Sequence, residues 1–177
     1  MTDLADLEAR IGLLEEECRE LRKLRDIEAI KRVKYKYFRC LDSKLWDELA
    51  ECFAEDATTN WASGKWRFQG VDAIVQFLSK TLPHNRISMH QGHHPEIELT
   101  SATTARGKWS LQDYIIDNKG NLYLRGASFY DDEYIKVNGE WKIKLAGYDR
   151  IFEEIGNQSD NPSLKLTANW FTSSEDP

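Results

Sequence analysis

The sequence predicts an α+β domain in which helices cover one face of a curved, antiparallel or mixed sheet. Three observations carry this reading. Apolar residues recur every three or four positions through most of the stretch from Leu4 to Leu82, which is the helical period. After Pro83 they fall instead into runs of strand length. Those runs are divided by turn chemistry at Asp117-Asn118-Lys119-Gly120-Asn121 and Val137-Asn138-Gly139-Glu140. The 177 residues, 41% hydrophobic with six tryptophans, suffice for one packed core, and nothing in the composition suggests two.

The first element is a long helix. Leu4, Leu7, Ile11, Leu14, Cys18 and Leu21 follow heptad spacing, and Glu8, Glu15, Glu16, Glu17, Arg19, Glu20, Arg22 and Lys23 supply a charged surround. Residues 1–23 therefore read as an N-terminal extension that lies over its own domain, over a neighbouring subunit, or in a short coiled coil. From Leu24 the phase changes to Ile27, Ile30, Val33, Tyr37, Phe38 and Leu41, so this half faces the core of a domain spanning 24–156. A second helix near 44–53 sets Leu45, Trp46, Leu49, Cys52 and Phe53 on one side. Thr58-Thr59-Asn60-Trp61, the turn Ser63-Gly64-Lys65 and Trp66-Arg67-Phe68 make a small hairpin. Gly70-Val71-Asp72 opens a third helix with Ile74, Val75, Phe77, Leu78 and Leu82 apolar, ended by Pro83. Strands follow at 87–91, 96–101, 104–116, 122–135 and 141–152. The tail, 157–177, is polar, with Leu164, Leu166, Trp170 and Phe171 as anchors and disorder expected in its last residues.

Composition narrows the function classes. A net charge of -6 argues against nucleic-acid binding, and the basic run Lys31, Arg32, Lys34, Lys36, Arg39 reads as a solvated helix face. No segment approaches the roughly twenty apolar residues of a membrane span, and Met1-Thr2-Asp3-Leu4 is acidic where a signal peptide would be basic. A cytoplasmic protein with neither nucleic acid nor membrane as partner is expected. Cys18, Cys40 and Cys52 are odd in number and lack CxxC spacing, which fits reduced thiols.

Ionisable residues in apolar stretches mark a candidate site. Tyr37 falls on the buried helical stripe, where its hydroxyl needs a partner, as a core tyrosine or as a site residue. Asp42 stands where that stripe stops and reads either as the N-cap of the helix beginning near Lys44 or as part of a site. Strand spacing puts His90 and His94 on one face with His93 opposite. A metal would need three convergent ligands from His84, His90, His93 and His94, and no metal site is assigned. Asp113, between Leu111 and Ile115, projects to the same face as both, where a carboxylate is costly unless paired. Arg150 is either its ion-pair partner or a substrate anchor.

The order Tyr37-Phe38-Arg39-Cys40-Leu41-Asp42, Trp46-Asp47-Glu48-Leu49, a Gly-Lys hairpin, Ile87-Ser88-Met89-His90 with Gly92-His93 following, Trp109-x-Leu-x-Asp113 and Gly147-Tyr148-x-Arg150-Ile151 resembles the bile-acid 7α-dehydratases. The match runs from about Leu7 to Glu154. Those enzymes belong to the SnoaL-like branch of the nuclear-transport-factor-2 (NTF2-like, cystatin-like) superfamily, with scytalone dehydratase and ketosteroid isomerase as more distant relatives. The resemblance implies a cone-shaped fold with a deep apolar pocket. It places Tyr37, Asp42, His90 and Asp113 at catalytic positions, with Trp61, His94 and Arg150 at the substrate. It also favours a homo-oligomer, a trimer over a dimer. Trp61 stands where the bile-acid enzymes are expected to carry a tyrosine, so other steroid-like or polycyclic hydroxy-ketones are equally admissible substrates.

Eliminating water from a hydroxyl placed β, or vinylogously, to a carbonyl needs a base for the carbon-bound proton, an acid for the leaving hydroxyl and a donor on the carbonyl oxygen. No cofactor is required. A histidine can serve as both base and acid on one face, and a carboxylate on its other nitrogen fixes the tautomer. His90 and Asp42 fit these roles, with Tyr37 on an oxygen of the substrate and Asp113 as acid/base or orienting group. Arg150 would bind a carboxylate or a coenzyme A thioester tail, or pair with Asp113. Three functions follow: a cofactor-independent dehydratase, an isomerase or cyclase using Asp113 as base, or a non-catalytic binding or subunit-stabilising protein such as a dioxygenase small subunit.

Overall fold

Helix α1 (Leu4–Ser43) runs unbroken for 40 residues in the computed structural model, which describes residues 3–171. Its two halves live in different surroundings. Every residue from Leu4 to Arg25 is exposed, whereas Ile30, Lys34, Tyr37, Phe38, Cys40 and Leu41 are buried. The first half therefore does not lie over its own domain. Lys44 ends the helix in the left-handed region, φ 59°, with its backbone N–H turned back onto the carbonyls of Cys40 and Leu41.

A single-turn helix, α2 (Trp46–Ala50), leads into β1 (Phe53–Trp61), and α3 (Val71–Thr81) into β2 (Arg86–Leu99). Strands β3 (Thr104–Asp117), β4 (Leu122–Val137) and β5 (Glu140–Asn157) complete the sheet. Its order is β1-β5-β4-β3-β2, with β1 parallel to β5 and every other neighbour antiparallel. This is the expected α+β arrangement. The core lies between the helices and one face of the sheet, where Leu41, Ile74, Trp109, Leu111, Tyr130 and Ile143 are buried. The small hairpin also forms: Trp61 and Trp66 exchange backbone hydrogen bonds of 3.0 and 3.1 Å.

Several boundaries differ from the sequence expectation. The strands expected at 87–91 and 96–101 are one strand, β2, interrupted by a bulge between His93 and Glu96. Strand β5 continues to Asn157, because Glu153, Glu154 and Ile155 still pair with Gly126, Arg125 and Leu124. All three side chains are exposed and two are carboxylates, which conceals that pairing from an apolar pattern. The basic run is not wholly a solvated face: Lys34 is fully buried and bonded to Asp132.

Beyond a short 3-10 turn (Gln158–Asp160), Leu164, Leu166 and Trp170 stay exposed, while Phe171 meets the ring of His84 at 5.1 Å. The disorder expected for the last residues concerns 172–177, outside the described residues, as do Met1 and Thr2 of the N-terminal extension. Among the described residues no helix is long and apolar enough to cross a membrane.

Candidate active site

A cavity of about 440 Å³ opens between α1, α3 and the inner face of the sheet, and Tyr37, Trp61, His90, Asp113 and Arg150 all line it. That volume lies within the range of small-molecule sites, roughly 300–1,000 Å³. Leu41, Leu78, Leu82, Leu111 and Ile115 give it apolar walls.

One polar corner is built where the last turn of α1 meets β2. Asp42 does not cap α2, whose N-cap position is Leu45 without a side-chain bond. Its carboxylate reaches β2 instead. Oδ2 accepts the backbone N–H of His90 at 2.7 Å, and Oδ1 lies 2.7 Å from His90 Nδ1 and 2.8 Å from the Ser88 hydroxyl, which donates to it. A carboxylate can only accept, so Nδ1 carries a proton, and in the neutral ring Nε2 keeps its lone pair for the cavity. Ser88 accepts in turn from the Lys44 ammonium at 2.7 Å. Lys44 is buried at the left-handed end of α1, and burial pulls its pKa down to about 8. The order along this chain is Lys44, Ser88, Asp42, His90.

The opposite corner belongs to the sheet. Arg150 donates to both oxygens of Asp113, Nη1 to Oδ1 at 2.6 Å and Nη2 to Oδ2 at 2.8 Å, a bidentate pair. Nη1 also reaches the Ser128 hydroxyl at 3.3 Å, and Nε lies 3.1 Å from Glu153. Asp113 is on β3 and Arg150 on β5, so the guanidinium must cross β4. It can do so because the residue opposite Asp113 on β4 is Gly126, where a Cβ would sit 2.7 Å from Nη1 and 2.9 Å from the Phe152 carbonyl. A bulge in β5 between the pairs Ala127/Phe152 and Ser128/Arg150 resets the alternation there.

Tyr37 lies in the cavity wall, where its phenol and that of Tyr130 influence one another electrostatically. Burial raises the pKa of both phenols, so both keep their protons at neutral pH. Trp61 is 3% exposed and its Nε1–H has no hydrogen-bond partner among the described residues, an orphan donor on the cavity. Buried indole N–H groups are normally bonded.

His94 is not with the others. The β2 bulge gives it a positive φ of 48° and sends it to a groove on the outer face, beside Lys108, Asp131 and Asp149. Strict strand spacing from His90 fails because regular pairing ends at His93 and His94 lies within the bulge itself. His84 and His93 likewise do not join His90, and among the described residues no three His, Cys, Asp or Glu side chains converge on a metal-sized site.

Sequence reasoning missed a second polar network under the cavity. Lys34 Nζ bonds Asp132 at 2.6 Å with both side chains fully buried, and Asp132 also accepts from the Tyr134 hydroxyl at 2.9 Å, which accepts from Trp109 Nε1 at 3.0 Å. The Lys34 ammonium sits 3.5 Å from the centre of the Tyr130 ring. The signal was present in the spacing: Lys34 shares the helical phase of Ile30, Tyr37 and Leu41, and Asp132 the alternation of Tyr130 and Tyr134.

Residues 22–146 match the model of the SnoaL-like domain. Similar solved structures include a candidate scytalone dehydratase from Novosphingobium aromaticivorans, at 25% identity and TM-score 0.70, covering 75% of this chain and 89% of that one. A hexachlorocyclohexane dehydrochlorinase, LinA-type3 of Novosphingobium barchaimii, aligns at 19% identity and TM-score 0.70 over 77% of this chain and 94% of its own. A candidate aromatic ring hydroxylase, again from Novosphingobium aromaticivorans, aligns at 18% identity and TM-score 0.67, covering 78% and 96%. With more than half its length inside the family model and this helix-on-sheet fold, the chain belongs to the SnoaL-like domain family of the NTF2-like superfamily.

Proposed function

We propose that the protein is a cofactor-independent hydro-lyase that removes water from a small hydrophobic hydroxy-ketone of steroid-like or polycyclic type. The observation that carries this is His90, held through Nδ1 by Asp42 with Nε2 left for an apolar cavity. Neighbours named for a dehydratase and a dehydrochlorinase support a small-molecule-converting enzyme of lyase type.

With substrate bound, His90 Nε2 takes the proton from the carbon beside the carbonyl. Asp42 stabilises the imidazolium, and the same nitrogen returns the proton to the departing hydroxyl, which leaves as water while the new double bond forms. Trp61 Nε1–H and Tyr37 O–H are the donors for the substrate's oxygens, the first because it lacks a partner among the described residues. Asp113 is a poor base because Arg150 occupies both of its oxygens, which weighs against the isomerase reading. The Arg150–Asp113 pair serves instead as a charged end wall that orients a polar substituent or a coenzyme A thioester tail.

The test is an ultraviolet and mass-spectrometric assay with a 7-hydroxy-3-oxo-4-ene steroid, free and as its coenzyme A thioester, beside the His90→Ala variant. Loss of one water with growth of an extended dienone band, absent in the variant, is the expected result. A shifted double bond without loss of mass would replace the lyase by an isomerase, and no reaction with either form would overturn the steroid substrate.

A further inference from the structure

The front half of α1 extends from the domain as a bare helix, and its apolar seam has no cover among the described residues. Leu4 to Arg25 span about 33 Å at 1.5 Å per residue, all of it exposed. Along it, Leu4, Ile11 and Cys18 fall at the a positions of a heptad and Leu7, Leu14 and Leu21 at the d positions, and the five aliphatic residues among them are 43–69% exposed. Burying that seam is favourable and nothing in the domain buries it.

The charges say what does. The helix's own ion pairs, Arg19 with Glu16 and Lys23 with Glu20, lie at b, c and f positions, away from the seam. The residues flanking the seam, Arg10 and Glu17 at g and Glu15 and Arg22 at e, make no ion pair with any described residue. In a parallel pair of identical helices each g residue meets the e residue of the next heptad on the partner. Arg10 would then face a second copy's Glu15, and Glu17 its Arg22, each twice by symmetry. Only Asp3 opposite Glu8, at the helix start, would be like-charged. In an antiparallel pair the e residues face one another, bringing Glu8 against Glu15.

We propose that this extension docks on the same segment of a second copy as a parallel, in-register coiled coil. In that register Cys18 meets its counterpart across the seam, while Cys40 and Cys52 are buried in the domain. The experiment is oxidative cross-linking of the full-length protein at micromolar concentration, with circular dichroism of every variant. A covalent dimer should form that Cys18→Ser abolishes and Leu14→Asp slows at least tenfold. Glu17→Arg should slow it severalfold, and adding Arg22→Glu to that variant should restore the rate. Cross-linking no faster than in Leu14→Asp overturns the proposal. So does a Leu7→Cys variant that links position 7 to position 18, since that pairing requires antiparallel helices.

Discussion

Replacing Asp42 by Asn changes one atom and tests the acid/base assignment at its root. The carboxylate accepts three hydrogen bonds, from Ser88 and His90 Nδ1 at one oxygen and from the His90 backbone N–H at the other. An amide can be placed in two ways. With its NH₂ at the second oxygen's position it meets the His90 backbone N–H donor to donor, at a cost of about 1–3 kcal/mol. With its NH₂ at the first, Nδ1 must become the acceptor, the ring proton moves to Nε2, and the lone pair offered to the cavity is gone. The second placement wins by that same margin, which alone leaves roughly 1–20% of molecules with a competent base. The imidazolium also loses its counter-charge, so the expected fall in kcat is about 10²–10⁴-fold with the fold intact. Nitrogen-15 NMR of His90 reads the tautomer without a substrate: proton on Nδ1 in the parent, on Nε2 in Asp42→Asn. A variant that keeps the parent tautomer and kcat within tenfold would refute the reasoning.

Other perturbations separate the parts. Lys34→Met leaves Asp132 buried without its cation and should cost about 3–5 kcal/mol in urea unfolding, most of it recovered in Lys34→Met with Asp132→Leu; a loss under 1 kcal/mol would count against the pair. Gly126→Ala pushes a methyl into Arg150 and the Phe152 carbonyl and should lower kcat/KM by about ten- to a hundredfold, which is about 1.4–2.7 kcal/mol; unchanged kinetics would show that the guanidinium's reach across β4 is dispensable. For Lys44 the folded pKa of about 8 lies below the ordinary 10.5. The unfolded chain therefore binds more protons between these values, and stability rises with pH through that window. Relative to Lys44→Met, the parent should gain up to about 3 kcal/mol from pH 7.5 to 10.5 by chemical denaturation, and a flat difference would contradict the burial.

The helices, their order and the strands were legible because each is written in a local period. Tyr37 was readable as inward and Asp113 as needing a partner, and the sequence left Arg150 open between that partner and a substrate anchor. What escaped has non-local causes. The β2 bulge removes His94 from the face of His90, since an extra residue leaves no mark in an alternation read one strand at a time. Gly126 has a purpose only once β5 is known to pass an arginine over it. Lys34 was assigned to water because lysine is almost never fully buried unless paired, and its pair stands 98 residues away.

That same lysine bears on how α1 finds its seat. Sliding α1 by one residue along the sheet moves every side chain about 1.5 Å and turns it about 100°, a change that a greasy interface could tolerate by repacking. Such a slip would carry Tyr37 away from Tyr130 and Asp42 away from His90. It would also strand an ammonium and a carboxylate apart in the dry interior, each without its counter-ion. Lys34 and Asp132 thus act as key and keyway: the interior holds a single axial position for the helix, and it is the one that assembles the dyad.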